Sequence, residues 1–489
     1  MPNAHSAMPT RAVFTPLDWG LLLLYALFLL AVGFWPRRQD TDDFLIAGRR
    51  LGVPIFVATL VATWYGSVLG AGEFVYTDGV AAWVVNGLPY YVFGILFALF
   101  LAPRVRGEGG HHYTIPDKLA IEYDRKTALL GAALAFVYAS PAQYVLMLGL
   151  LLQSLFGWKL LPAMGIGIVL SVLYVFRGGF LSDVRVNTFQ FLLMFTGFVV
   201  AAWLCLARFG GLAFLQAPGR LPPTHLQLLG AHDLRWAIVW FFIALVTLVD
   251  PGFHQRCYAA RTPRVAVVGI LLAVVCWACF DALTTTTGLF ARALAPDLSN
   301  PVMAFPVLGN RILPPGLKGL FFVGMIAPIM ASTVSYTFVG AMTVGRDFIW
   351  RLQEGKHGGE IALIPAFTRI GLVATSLVAL LIALAIPSVV LEWYVLGSIF
   401  VPGVLIPLLG AYASNRWKAP PNAAFASMLL GAAVALFCLL WGWHHGGPDD
   451  PHYPLGWQPM YPGLLACALV YGAGLLSRSW TKRPQPSDL

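Results

Sequence analysis

Long apolar runs separated by short polar connections rich in Gly and Pro set the pattern of this chain. The runs fall near residues 17–35, 54–76, 80–102, 127–155, 160–176, 185–207, 235–250, 265–289, 319–344, 366–387, 391–412, 420–441 and 459–477. Most match the about 20 residues that carry a helix across ~30 Å of hydrocarbon, and none has the ten-residue alternation of a membrane β-strand. Lipid offers backbone groups no partners, so such runs satisfy their hydrogen bonds within helices. The pattern predicts an all-α integral membrane protein of about 13 transmembrane helices.

Composition agrees: the chain has 489 residues, 58% of them hydrophobic and 11% charged, with a mean hydropathy of +0.75. The net charge of +9 does not point to nucleic acid, because 23 of the 31 Lys and Arg fall in alternate connections, at 37–50, 104–126, 177–185, 256–264, 346–369, 416–418 and 478–483. Basic loops mark the cytoplasmic side, which predicts a multi-pass protein of a bacterial-type inner membrane with its N-terminus outside and its C-terminus cytoplasmic. The first run, followed by Arg37 and Arg38, is expected to be retained as a span. Cys205, Cys257, Cys276, Cys279, Cys438 and Cys467 predict neither disulfides nor a metal site. The tract GWHHGGPDDPHYP at 442–454 reads as an exposed loop.

Candidate chemistry lies where helices are interrupted. Gly66, Gly70 and Gly72 weaken the second run at mid-membrane depth, freeing carbonyls or allowing close packing. In the ninth run Pro328 removes a backbone donor, and Ser332, Thr333, Ser335, Tyr336 and Thr337 crowd the next turns, with Ser332, Ser335 and Tyr336 on one face. These oxygens suit a small hard cation, or hydroxyls that knit helices together. Asp281 falls inside a run, whereas Glu73, Asp250 and Glu392 are expected nearer run ends, at the interface. By polarity and depth, Trp64, Ser67, Asn86, Tyr90, Gln143 and Trp240 are candidates for a solute pocket. No P-loop, HExxH or GxSxG motif is present, and His111 and His112 have no identifiable nucleophile partner. No catalytic residues and no enzymatic activity are predicted.

Four stretches, in order, carry a resemblance: DDFLIAGRRLG (42–52), YVFRGGFLSDVRVNTFQ (174–190), DPGFHQRCYAAR (250–261) and FPVLGNRILPPGLKGLFFVGMIAPIMAS (305–332). Together, over roughly residues 17–477, they resemble the sodium:solute symporter family. The resemblance implies a leucine-transporter-like core of five plus five helices in inverted repeat. Residues 1–50 would hold the first flanking helix, 51–413 the core, with repeats at 51–208 and 235–413, and 414–489 two further flanking helices and a short tail. It implies alternating-access import of a small polar organic solute, with sodium as the coupling ion, no other cofactor, and the bilayer, solute and ion as partners.

The family's sodium ligands fall on the carbonyls of Ala62 and Tyr65 and on Pro328, Ala331 and Ser332, with Ser335 a possible substitute one turn on. Ala331 stands where the family has a hydroxyl, Pro328 where it has a small residue and Asn187 where many members have an Asp. Those departures are expected to weaken sodium binding and leave a proton-coupled carrier using Asp281 as the alternative. Ile243 and Thr247 stand where the proline branch has Trp and Tyr, which argues against proline. ATWYG (62–66) is closer to choline-like members, where Trp64 could present a π face to a cation. A solute sensor is a further alternative, disfavoured because only about a dozen polar residues follow the last run.

Overall fold

The computed structural model describes residues 13–35, 40–107, 112–353, 361–386, 388–447 and 450–480. Arg37, Arg38, His111 and the basic residues Lys482 and Arg483 lie outside the described residues. Twelve described helices are long and apolar enough to cross a membrane. In chain order they are α1 Pro16–Gly33, α2 Val53–Asp78, α3 Ala81–Gly107 and α4 Arg125–Phe156, then, after the shorter α5 Leu160–Val172, α6 Val175–Phe209, α7 Leu234–Ala259, α8 Pro263–Leu294, α9 Leu317–Gln353, α10 Ile361–Ala385, α11 Val389–Tyr412, α12 Pro421–Gly446 and α13 Met460–Ser477. The thirteenth span expected from the sequence is thus α5, a helix of 13 residues.

Helix starts follow local rules. Asp124 caps α4 by accepting from the Thr127 amide at 2.8 Å, and Asp233 caps α7 through the Trp236 amide at 3.0 Å. Thr262 accepts from the Val265 amide at 3.2 Å ahead of Pro263, which needs no donor in the first turn of α8. Helix α9 is the central member: 89% of its apolar window is buried, against 22% for α1 and 28% for α13, which places those two at the periphery.

Several spans are interrupted, α4 at Ala139–Pro141 and α6 at Gly179 among them, and the breaks in α2 and α7 shape the site. Helix α2 is α-helical from Val53 to Trp64, tightens to a 3-10 turn at Tyr65–Ser67 and resumes at Val68. Helix α7 runs to Ile243, passes through a 3-10 turn at Ala244–Leu248 and restarts at Pro251. Proline biases its predecessor away from helical torsions, and Asp250 is extended (φ −61°, ψ 121°). Asp250 therefore sits at a break inside a span, only 1% exposed, and Glu392 is 0% exposed. The span-end placement expected for Asp250 is wrong, since hydropathy averaging pushes an acid toward a span end whereas the fold encloses it at a break; Glu392 does lie in the first turn of the helix Val389–Tyr412, but packed inside the protein. Of the α2 glycines only Gly66 lies in the break. Gly70 and Gly72 face Trp393 with Val389, and Phe305, as close-packing positions.

The basic connections meet at one end of the bundle. Arg49 donates to the His112 carbonyl at 3.2 Å, and Arg369 to the Phe176 carbonyl at 2.7 Å. Glu122 bridges Lys118 and Lys418. Leu51 pairs with the end of α7, donating to the Ala259 carbonyl at 3.1 Å and accepting from the Arg261 amide at 2.9 Å. Asp117 binds Arg351 at 2.6 Å and Arg346 at 3.2 Å. Burial alone would raise the Asp117 pKa, but the two guanidinium groups and the Tyr113 amide outweigh it and hold the carboxyl below its ordinary value.

Candidate functional site

The two breaks face each other across a cavity of about 110 Å³. That is well under the ~300 Å³ lower end for drug-sized ligands, so it suits a solute of few heavy atoms. Five of the six pocket candidates, Trp64, Ser67, Asn86, Tyr90 and Gln143, line it together with Tyr138, Ser140, Tyr144, Asp281, Tyr336 and Trp393. Trp240 does not line it: its ring packs edge-on against Phe74 at 5.0 Å, one layer away. Depth along a helix was readable for Trp240, but the facing direction of a helix next to a break was not.

Seven of the seventeen wall residues are aromatic, and several are held in place by other rings. Trp64 stacks on Trp277 at 5.3 Å and meets Tyr90 at 5.7 Å and Phe253 at 4.9 Å edge-on. Tyr144 stacks on Tyr336 at 5.5 Å, and Tyr138 on Phe400 at 4.4 Å. Asp281, half-buried on α8, accepts a hydrogen bond from Tyr91, which in turn accepts from the Trp83 indole at 3.3 Å. The Ser140 hydroxyl and Gln143 Oε1 have no partner among the described residues. The lining thus holds one carboxylate and no Lys, Arg or His.

The hydroxyls of α9 divide into two sets. Thr333 and Thr337 bond back to carbonyls of their own helix, Ile329 at 2.8 Å and Thr333 at 2.5 Å, which satisfies the buried hydroxyls within α9. Ser332, Ser335 and Tyr336 reach across to other helices. Ser332 Oγ donates to the Thr63 carbonyl in α2 and lies 3.1 Å from the Pro328 carbonyl. The carbonyl that meets it therefore lies between the nominated Ala62 and Tyr65, and Ala331 brings only a buried methyl group. This contact requires Gly66, since a Cβ there would fall 1.9 Å from Ser332 Oγ. Tyr336 donates to Asp250 Oδ2 at 2.8 Å, and Tyr138 donates to the same oxygen at 3.0 Å. Asp250 Oδ1 accepts from the Phe253 amide at 2.8 Å, so one carboxylate ties α4, α7 and α9 together.

One turn along α9 from Ser332, Ser335 enters a cluster that the sequence reading missed. Ser335 Oγ donates to Asp183 Oδ2 at 2.7 Å, accepts from Arg256 at 2.9 Å and from Asn187 at 3.1 Å, and lies 3.1 Å from Thr63 Oγ1. Arg256 also donates to Thr63 Oγ1 at 2.6 Å. Asn187 thus joins the cluster, but no negative charge has been lost, because Asp183 supplies one from the same face of α6 a turn earlier, fully buried. Four-residue spacing along α6 was the available signal. Arg256, assigned by sequence to a loop, lies inside α7 at 0% exposure.

Comparison with known proteins follows the same lines. The sodium:solute symporter family profile matches residues 44–431. Among curated relatives, Sodium/proline symporter 2 of Staphylococcus saprophyticus is 22% identical over 95% of this chain and 93% of its own length. The osmoregulated proline transporter OpuE of Bacillus subtilis is 23% identical over 94% of each chain. Sodium/myo-inositol cotransporter 2 of Mus musculus is 25% identical, covering 92% of this chain and 74% of its own length. In structure, the chain is similar to a Na+-coupled sialic acid symporter solved in a substrate-bound outward-open state, with a TM-score of 0.77 at 15% identity, covering 98% of this chain and 100% of that one. A nucleobase-cation-symport-1 family transporter superposes with a TM-score of 0.54 at 14% identity, covering 91% and 95%.

Proposed function

This chain belongs to the sodium:solute symporter family, and from that premise we propose that it imports a small solute bearing a protonated or quaternary amine. The observation that carries the proposal is the cavity wall: aromatic rings around a single carboxylate, Asp281, with no basic side chain in the lining. Ring faces attract cations by ~0.5–2 kcal/mol each, and a carboxylate in a low-dielectric enclosure favours a positive solute over an anion. Unpartnered oxygens on Ser140 and Gln143 supply acceptors for its N–H or O–H groups. Ile243 lies on the wall, so the difference from the proline branch falls where a solute would sit.

Sodium is the coupling ion of this reading, bound where Ser332 meets the α2 break, with the carbonyls of Ala62 and Tyr65 as further ligands. The ten-helix core at 51–413, with repeats at 51–208 and 235–413, and an outward N-terminus in a cytoplasmic membrane belong to the same proposal; the gathering of basic connections at one end supports the orientation. A proton-driven carrier is the second reading, favoured by the half-buried Asp281 against Tyr91.

The test is uptake into proteoliposomes under an inward sodium gradient, with labelled small amines, zwitterions, sugars and carboxylates competing. Amine-bearing solutes should be taken up saturably, and Asp281→Asn should raise their KM by about tenfold, the equivalent of ~1.4 kcal/mol. Preference for amine-free carboxylates, or an unchanged KM in the variant, would sink the solute assignment. For the ion, melting temperature in detergent should rise with NaCl but not KCl. Ser332→Ala should move the sodium midpoint at least about tenfold; no movement would put the ion elsewhere, and dependence on a pH gradient instead would select the proton reading.

A further inference from the structure

The cluster of Thr63, Asp183, Asn187, Ser335 and Arg256 has the makings of a second cation site. Thr63 Oγ1, Ser335 Oγ and Asp183 Oδ2 already converge on one point through the hydrogen bonds described above. Two further buried oxygens, Asp183 Oδ1 and Asn187 Oδ1, have no hydrogen-bond partner among the described residues. A carboxylate, two hydroxyls and an amide oxygen are the hard ligands that a small monovalent or divalent cation takes. The centre of this group is taken by the chain itself. The terminal nitrogen of Arg256 lies 2.6 Å from Thr63 Oγ1, 2.9 Å from Ser335 Oγ and 3.9 Å from Asp183 Oδ2, with both charged side chains 0% exposed. Its other terminal nitrogen is anchored to the Gly252 carbonyl of its own helix at 3.1 Å, and its guanidinium lies over the Phe180 ring at 5.6 Å from the centroid.

We propose that this is a cation site filled permanently by the Arg256 guanidinium, so that the chain carries tethered to α7 a positive charge that the oxygens would otherwise draw from solution. Asp183 and Arg256 sum to zero. A sodium ion added beside them would leave an uncompensated positive charge in an interior with little water to screen it, so the cluster stays closed to sodium while Arg256 is present. Removing the guanidinium leaves Asp183 buried and unpaired among its oxygens, and a free cation takes its place. The site is separate from the one at Ser332 and does not rest on the solute assignment.

The experiment is a melting-temperature titration of the full chain in detergent with NaCl against KCl at constant ionic strength. Arg256→Gln should gain a second saturable, sodium-specific rise in melting temperature on top of the wild type's own response, and Asp183→Asn in the same chain should abolish that gain. In a Ser332→Ala background the gained response should persist, which separates it from the other site. Arg256→Lys, which keeps the charge, should not gain it. A response of Arg256→Gln that matches the wild type in midpoint and amplitude overturns the proposal, as does an equal gain in Arg256→Lys. If Arg256→Gln does not fold, Asn187→Ala in the otherwise natural chain decides: its sodium midpoint should stay within twofold of the wild type, and a tenfold shift would mean that sodium already binds the cluster with Arg256 in place.

Discussion

A single methyl group added at Gly66 should abolish solute uptake. A Cβ at this position would lie 1.9 Å from Ser332 Oγ, 2.2 Å from Ser332 Cβ and 2.9 Å from Tyr144 Cε1. Real Cβ contacts do not come this close, and Ser332 cannot retreat, because it is 0% exposed on the most enclosed helix of the bundle. Gly66→Ala must therefore push α2 away from α9, opening the contact between the broken helix and Ser332. Overpacking of this kind typically costs ~1–3 kcal/mol, and the geometry lost is the one on which the proposed cation site depends. Uptake in proteoliposomes should fall below detection while Gly70→Ala, whose Cβ would meet Trp393 at 3.0 Å and Val389 at 3.1 Å, retains a measurable rate. Uptake of Gly66→Ala close to that of the wild type would mean that the close approach is dispensable.

Asp250→Ala should be the most destabilising single change at the breaks. It removes the cap of the second half of α7 and leaves the hydroxyls of Tyr138 and Tyr336 without their shared acceptor. Losing an N-cap costs ~0.5–2 kcal/mol, and each buried hydroxyl left unpaired ~1–3 kcal/mol, so a loss on the order of 3 kcal/mol is expected even without full additivity. Asp250→Asn keeps an acceptor oxygen at the cap and should lose less. Melting temperatures of the two variants, read with uptake of a working solute, check this ordering; an Asp250→Ala chain as stable as the wild type would show that water or a neighbouring group replaces the carboxylate.

Sequence made the bundle legible because lipid imposes one rule on every span, and Gly66 marked α2 as irregular before any coordinate was known; the interruption expected at Pro328 is absent, since α9 stays α-helical from Leu317 to Met342. Pocket membership was legible for residues beside the α2 break, where a polar side chain at mid-membrane depth has little to turn toward except a cavity. Asp183 and Arg256 were not legible for a physical reason: a hydropathy pattern treats each charge as a visit to water, and cannot see that two charges from helices far apart in sequence cancel inside the protein. Asp250 was hidden in the same way, its charge set against a backbone amide and two tyrosines. The five crowded hydroxyls of α9 looked alike in sequence, yet two bond only within their own helix and three connect it to others, a division fixed only by which neighbours stand opposite.

The pairing of Leu51 with Ala259 and Arg261 has a mechanical consequence. Two backbone hydrogen bonds fasten the start of α2 to the end of α7, and Arg106 at the end of α3 joins the same point by donating to the Ala260 carbonyl at 2.5 Å. The two broken helices are thus hinged on a common pin at the basic end, with their weak points further along. A swing of one half-helix about that pin has to be shared by the other, so a small shift where they are fastened becomes a wider arc at the far end. The breaks then serve as the flexures of a paired lever.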